Sequence, residues 1–199
     1  IHPGKYFQVK QTRYHNTILV NDKGQIGEGV QYTQPIPDTD MTTLSYLTGW
    51  KVGEAGRIII EGEAGNAYPD LQRFRRTAIW LPGQYILLLD DVQAKEKRKI
   101  AWVASAEKAQ FEKPEEGRAY TYVPEGARLD FQIKADQPFK ASIDHMMLTG
   151  RWNSKLVNQL QFFQETEEIR YATLMNAWKV EDLAMTLDID GDAVTVKVT

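Results

Sequence analysis

The stretch Phe74-Arg75-Arg76-Thr77-Ala78-Ile79-Trp80-Leu81-Pro82-Gly83-Gln84-Tyr85-Ile86-Leu87-Leu88-Leu89-Asp90-Asp91 decides the fold. Two apolar runs of strand length flank Pro82-Gly83, and a Pro-Gly turn between such runs predicts an antiparallel hairpin. Outward from it the period stays close to two, while the period of 3.6 that marks an amphipathic helix is scarce. Thr17 to Val20 is a short β-branched run closed by the turn composition Asn21-Asp22-Lys23-Gly24. Further strands are expected at Arg57 to Gly62, Ile100 to Ser105, Arg128 to Lys134, Lys140 to Leu148 and Arg170 to Trp178. The chain closes with Leu183 to Ile189, an Asp190-Gly191 turn and Ala193 to Val198, a second hairpin pattern.

Two stretches read differently. Gln34-Pro35-Ile36-Pro37-Asp38-Thr39-Asp40 is expected to be a loop, because its prolines remove backbone donors. Trp152 to Gln164 fits a short helix or a strand equally well. Strands at this density, joined by turns, predict an all-β fold, a large antiparallel two-sheet β-sandwich. No internal repeat or linker divides the chain, so residues 1–199 are expected to form a single domain.

Composition sets limits on function. A hydrophobic share of 42% and a charged share of 26% are ordinary for a packed globular protein. The formal net charge of -3 argues against generic nucleic-acid binding, which needs many cations to neutralise phosphates. No apolar run approaches the roughly 20 residues of a membrane-spanning helix, so no membrane span is expected. The absence of cysteine removes disulfides, thiolate metal sites and a cysteine nucleophile together. The opening Ile1-His2-Pro3-Gly4 carries neither a methionine nor a leader pattern, which reads as a processed product or excised piece.

The first candidate for chemistry is His15, one of three histidines, at the mouth of an apolar run. Tyr14-His15-Asn16 has the look of an acid, a base and a carboxylate anchor, but strand alternation would send His15 to the opposite face from the other two. Asn16 is instead expected to bind local backbone. Arg73, Arg75 and Arg76, with Lys95, Lys97, Arg98 and Lys99, suggest a cationic surface for an acidic glycan. The plainer reading is solvated charge at strand ends, with Lys95 to Lys99 in a turn between two strands. Trp50, Trp80, Trp102, Trp152 and Trp178 are expected to fill core rather than stack on sugars. His145 reads as a partly buried strand histidine, and Asp188-Ile189-Asp190-Gly191-Asp192 as a hairpin turn rather than a calcium loop.

Thr12 to Gln25 resembles the His-Asn-Thr-apolar-apolar-Val-x-x-x-Gly-Gln signature in the C-terminal β-sandwich of heparinase II/III-like polysaccharide lyases. Gly62-Glu63-Ala64-Gly65-Asn66-Ala67-Tyr68-Pro69, then Arg73 to Tyr85, then Leu88-Leu89-Asp90-Asp91, are similar to the next landmarks of that family in the same order. The resemblance covers about residues 10 to 105. It implies a parent enzyme, secreted or periplasmic, in which a helical toroid precedes the β-sheet domain and uronate-containing anionic polysaccharide, such as alginate or a glycosaminoglycan, is cleaved by β-elimination.

That reaction needs a group to neutralise the uronate carboxylate, a base for the neighbouring proton and an acid for the leaving oxygen. In the family an Asn and a Tyr of the toroid, with a His assisting, do much of this. The resemblance therefore implies no catalytic residue in this chain, which would support the toroid and line the substrate cleft. His15 matches a position that resembles a ligand for a divalent metal (zinc or calcium) in some members, with a His and an Asp upstream as its partners. Those partners are expected before Ile1, His2 is too close in sequence to replace them, and no cofactor is expected for this chain alone. An alternative of a different class is a free-standing carbohydrate-binding or cell-surface interaction module.

Overall fold

The computed structural model describes residues 11–28, 40, 43–122, 126–149, 154–176, 184–190 and 193–199. His2, Trp152, Trp178 and most of the Gln34 to Asp40 loop lie outside them. The Pro-Gly hairpin is present: strand β4 (Leu71–Leu81) pairs antiparallel with β5 (Tyr85–Ala106), and Leu81 stands opposite Tyr85. Gly83 takes φ +74°, a left-handed turn position that disfavours residues with a Cβ.

Strand β5 does not end at Asp91. It runs on for 22 residues, so the stretches expected as two strands are one, and Lys95 to Lys99 lies inside it instead of forming a turn. The cause is a partner of equal length. Strand β10 (Ser154–Asn176) pairs with β5 from Asn158 opposite Ala106 to Met175 opposite Ile86, with one irregularity between Thr166 and Glu168. Charged residues are poor strand formers, yet Lys99 and Arg98 pair with Glu165 and Thr166, the Lys95 N–H donates to the Asp70 carbonyl at 2.9 Å, and Lys95, Glu96 and Lys97, at the register shift, are exposed to water. The ambiguous Trp152 to Gln164 stretch is accordingly strand from Ser154 onward.

Both long strands serve two layers. The Tyr171 hydroxyl donates to the Ile100 carbonyl at 3.1 Å and to the Phe162 carbonyl at 3.3 Å. Nine residues of straight strand would separate Phe162 from Tyr171 by roughly 30 Å, so β10 folds over on itself and β5 follows. The first layer runs β2 (Tyr46–Val52), β3 (Ile58–Glu63), β4, the first half of β5, the second half of β10, β8 (Arg128–Ala135), β7 (Arg118–Tyr122) and β6 (Ala109–Lys113). The second comprises β1 (Ile18–Val20), the other halves of β5 and β10, and β9 (Lys140–Thr149).

Aromatic contacts join the layers: Trp102 meets Phe131 edge-on at 6.4 Å, and Phe162 meets Phe111 at 5.4 Å. The two-sheet antiparallel sandwich expected from the sequence is thus observed, its sheets joined by strands that pass from one to the other through a bend. A final hairpin, β11 (Met185–Asp190) with β12 (Ala193–Val198), covers the outside of the first layer and packs Met185 and Leu187 near Leu87 and Leu174.

Burial raises the pKa of the Tyr171 phenol far above its ordinary value, with the charges of Asp90 and Asp136 adding to the effect. The folded state therefore holds this proton more tightly than the unfolded chain. Its contribution to stability is complete below about pH 10, the ordinary tyrosine value, and is lost as pH rises beyond it. Tyr171→Phe is expected to lower stability at neutral pH by about 1 kcal/mol. It should also flatten the decline in urea midpoint between neutral pH and about pH 11 relative to the unaltered chain; an equally steep decline would show that the phenol does not govern it.

Candidate functional site

The segment that carries His15 is a 3-10 turn, Thr12–Tyr14, followed by extended chain, and not a strand. The strand alternation expected for Tyr14, His15 and Asn16 therefore does not apply. Half-buried His15 closes the turn, its backbone N–H donating to the Thr12 carbonyl at 2.9 Å. Tyr14 packs against Met146, Leu148 and Val157 on the second layer. Asn16 does bind backbone, but far from local: its Oδ1 accepts from the Ser105 N–H at 2.9 Å. Its own carbonyl accepts from Arg76 Nη1 at 3.1 Å.

Arg76 is the centre of this region. Hairpin register places it opposite Asp90, five residues from the turn on each strand. The pair is bidentate, with Nε at 2.6 Å and Nη2 at 2.8 Å from the two carboxylate oxygens, and the Asp90 side chain is 1% exposed. Burial pulls the Arg76 pKa down, but the charge and hydrogen bonds of Asp90 more than offset it and the net shift is upward.

Beside the pair, Tyr68 donates to the Ile18 carbonyl at 3.0 Å and lies within 3.5 Å of Gln25 Nε2. Burial raises this phenol's pKa too. The 3-10 turn Gly65–Ala67 delivers Tyr68, and a Cβ on Gly65 would come within 2.9 Å of the Arg73 Cα. On the other side a Cβ on Gly24 would come within 2.1 Å of the Thr12 side chain, so the loop closes only around glycine. The cation and the phenols are thus locked in their ordinary protonation states, which suits a structural centre and not a proton-transfer site.

The remaining cations are largely partnered. Arg73 pairs with Asp91 at 2.9 Å, Lys99 with Asp22 at 2.7 Å and Arg98 with Asp70 and Glu96, while Lys95 Nζ reaches the Pro69 carbonyl at 2.6 Å. Arg75 is the most open of the arginines on β4, with Glu63 at 3.9 Å. The expected solvated charge is observed at these positions, and Arg76 is the correction. Two polar depressions of about 350 and 630 Å³ run along this outer side and share Gln72 and Gln93. Tyr46, Glu63, Asn66, Arg73 and Arg75 line one end of the groove, and Lys95, Lys97, Gln137, Glu165, Glu167 and Glu168 the other.

The opposite, inner side of the first layer is apolar towards β2. A cavity of about 320 Å³ lies there, lined by Trp80, Ile86, Leu88, Trp102, Phe131 and Met175, with Asn16 at its rim. Trp102 fills core as expected, whereas Trp50 and Trp80 are 75% and 47% exposed. They depart from the expectation because β2 to β4 carry this face past the cover of the second layer. His145 is exposed rather than partly buried, its Nδ1 2.9 Å from Asn158 Oδ1. Asp190 stands opposite Ala193 in the final hairpin. Among the described residues no three His, Asp or Glu side chains converge to hold a metal, so the donor set for one around His15 is not present in them.

No protein-family description matches the chain, and no curated protein matches it in sequence. Solved structures do. A heparinase III gene product superposes with TM-score 0.73 at 15% identity, over 96% of this chain and 29% of its own. Heparan sulfate lyase HepC from Pedobacter heparinus superposes with TM-score 0.70 at 12% identity, over 94% of this chain and 29% of its own. The fold is that of a portion of these proteins, and the likeness runs well past residue 105, where the sequence resemblance ends. The chain spans under a third of their length.

Sequence reasoning missed the Arg76–Asp90 pair, though counting back from the Pro-Gly turn would have found it. Asp90→Ala is expected to cost about 2–3 kcal/mol, at or below the low end for a fully buried pair, because Arg76 loses its counter-ion while keeping some water and the Asn16 carbonyl. Replacing both, Arg76→Met with Asp90→Leu, should recover most of that loss in urea denaturation. A double variant as unstable as the single one would show that hydrogen bonding to Asn16, not charge compensation, dominates.

Proposed function

We propose that this chain is the C-terminal β-sheet domain of a heparinase-like polysaccharide lyase, acting on uronate-containing anionic polysaccharide by β-elimination. The observation that carries the reading is the asymmetry of the structural match, nearly all of this chain against 29% of the heparinase III chains. The buried centre supports the same division of labour: Tyr68, Tyr171 and Arg76 are committed to internal hydrogen bonds and supply no base for the proton beside a carboxylate. The catalytic groups then belong to a helical toroid elsewhere in the polypeptide, which this domain supports. A polymeric substrate of this kind places the enzyme outside the cytoplasm, secreted or periplasmic.

Within this reading the polar groove from Tyr46 and Arg75 to Gln137 lines part of the substrate cleft. At the Tyr46 end its amides and the partly open Arg73 and Arg75 suit hydroxyl and carboxylate groups of a glycan, whereas Glu165, Glu167 and Glu168 at the Lys95 end favour neutral hydroxyls over carboxylates. His15 serves as a metal ligand only if ligands outside the described residues complete the set.

Formation of unsaturated uronate, followed by absorbance with heparan sulfate and alginate, tests the assignment. The 199-residue chain alone is expected to give none, and the longer polypeptide containing it to give product. Product from the chain alone, or none from the longer polypeptide on any uronate polymer, would overturn it. Arg75→Ala with Gln72→Ala in the longer polypeptide should raise KM several-fold with kcat little changed, since these side chains bind without entering the chemistry.

A further inference from the structure

The inner face of the first layer is ordered in cross-strand rows. The row nearest the second layer runs Leu47, Gly62, Arg76, Asp90 and ends in the buried ion pair. The next is Trp50, Ile60, Ala78, Leu88, and the last Val52, Ile58, Trp80, Ile86. Towards β8 these rows are covered; towards β2 Trp50, Val52, Ile60 and Trp80 stand exposed on one continuous face.

The two indoles, 75% and 47% exposed, together leave on the order of 300 Å² of apolar surface open. With Leu47, Val52, Ile60 and Ile86 the patch exceeds what a folded monomer ordinarily shows to water. A glycan is a less suitable occupant, because the two outer rows offer only the two indole N–H donors of Trp50 and Trp80, with no side-chain acceptor or charge beside them to fix hydroxyl or carboxylate groups. Strand addition at the edge is also disfavoured: β2 carries an irregularity between Leu47 and Gly49 and a lysine at Lys51, both of which blunt edge pairing. What fits is an apolar protein surface laid face-on.

We propose that this face, centred on Trp50, Ile60 and Trp80, seats an apolar surface from the remainder of the same polypeptide. The inference rests on the reading that the chain is part of a longer protein. Two observations favour that occupant over a second copy: over two thirds of each matched heparinase III chain lies outside the match, and the face continues into the 320 Å³ cavity of the domain's own core. A partner seated there extends the sandwich core and fixes the orientation of the domain.

Amide hydrogen exchange, read in the 199-residue chain and in the longer polypeptide, tests this. Residues 46–52 and 58–63 are expected to exchange at least about 10-fold more slowly in the longer polypeptide, with Trp50 shielded from acrylamide quenching. Trp50→Ser with Ile60→Ser should leave the Tm of the isolated chain nearly unchanged and lower that of the longer polypeptide by several degrees. Equal exchange in the two proteins overturns the proposal. So does slowing produced in the isolated chain by heparan sulfate, or by self-association as its concentration is raised. Lyase activity is read separately: an active polypeptide with an unprotected face refutes the docking alone, and an inactive one with a protected face refutes the activity alone.

Discussion

The sandwich is organised around one buried ion pair. Arg76 and Asp90 face each other across β4 and β5, the carboxylate cut off from water and the guanidinium three-quarters buried, a costly arrangement unless its polar atoms are answered. One answer comes from far away in sequence, where the carbonyl of Asn16 caps the guanidinium; Tyr171, opposite Asp90 in the ladder with β10, directs its hydroxyl to the Ile100 and Phe162 carbonyls instead. Tyr68 stands beside the pair, bound to the backbone of β1. Each stretch that resembles a lyase landmark contributes a member: Asn16 and Gln25 from the first, Tyr68 from the second, Arg76 and Asp90 from those that follow. Their common meaning is therefore architectural. They are the parts of one polar knot that an otherwise apolar interlayer space tolerates only when complete.

From that knot the bend of the long strands follows. Tyr171 on one half of β10 bonds Phe162 on the other half and Ile100 on β5, so a single phenol fixes how far the strands fold over. The charged stretch from Lys95 to Lys99 sits along the fold: Lys99 and Arg98 stand opposite Glu165 and Thr166, and Lys95 to Lys97 occupy the register shift that follows. Apolar side chains at such a bend would be left without cover, and charged ones meet water on the convex side. The composition that looked like a turn in the sequence is the composition required of a bent strand interior. Local chemistry alone does not separate the two; the pairing with β10 on either side of the stretch does.

This explains what was legible. The Pro82-Gly83 hairpin, the pairing of β11 with β12 and the all-β class follow from short-range signals, turn residues between runs of period two, and these stand. Strands β2, β6 and β7 went unrecognised because their pattern is weak: Tyr46–Val52 mixes a glycine, a lysine and exposed aromatics, and takes its strand state from pairing with Ile58–Glu63. The His15 segment was misread as strand because Ile18-Leu19-Val20 follows it directly, while its true conformation depends on contacts with Ser105 and Arg76 that are 89 and 60 residues removed from Asn16. Trp50 and Trp80 illustrate the same limit. Their residue type says core, and only the extent of the second layer decides that they are not covered.

The distribution of polar and apolar surface over the first layer bears on what kind of protein this is. A self-sufficient sandwich covers both faces of its central sheet or makes one of them polar. Here the outer face is covered by the β11–β12 hairpin or lined by ion pairs such as Arg73 with Asp91, and the inner face is covered from β5 to β8. Among the described residues, the inner face of β2 and β3, with Trp80 and Ile86 beside it, is the apolar part left exposed. The same strands turn Thr48, Glu61 and Glu63 to the outer side, joined by a hydrogen bond of 2.7 Å from Thr48 Oγ1 to Glu61, so that side is built for water. One sheet segment therefore has a finished face and an unfinished one. Such an asymmetry is expected of a domain whose core is completed by protein it does not itself contain, and it is a physical counterpart to a match that takes in nearly all of this chain and under a third of its structural relatives.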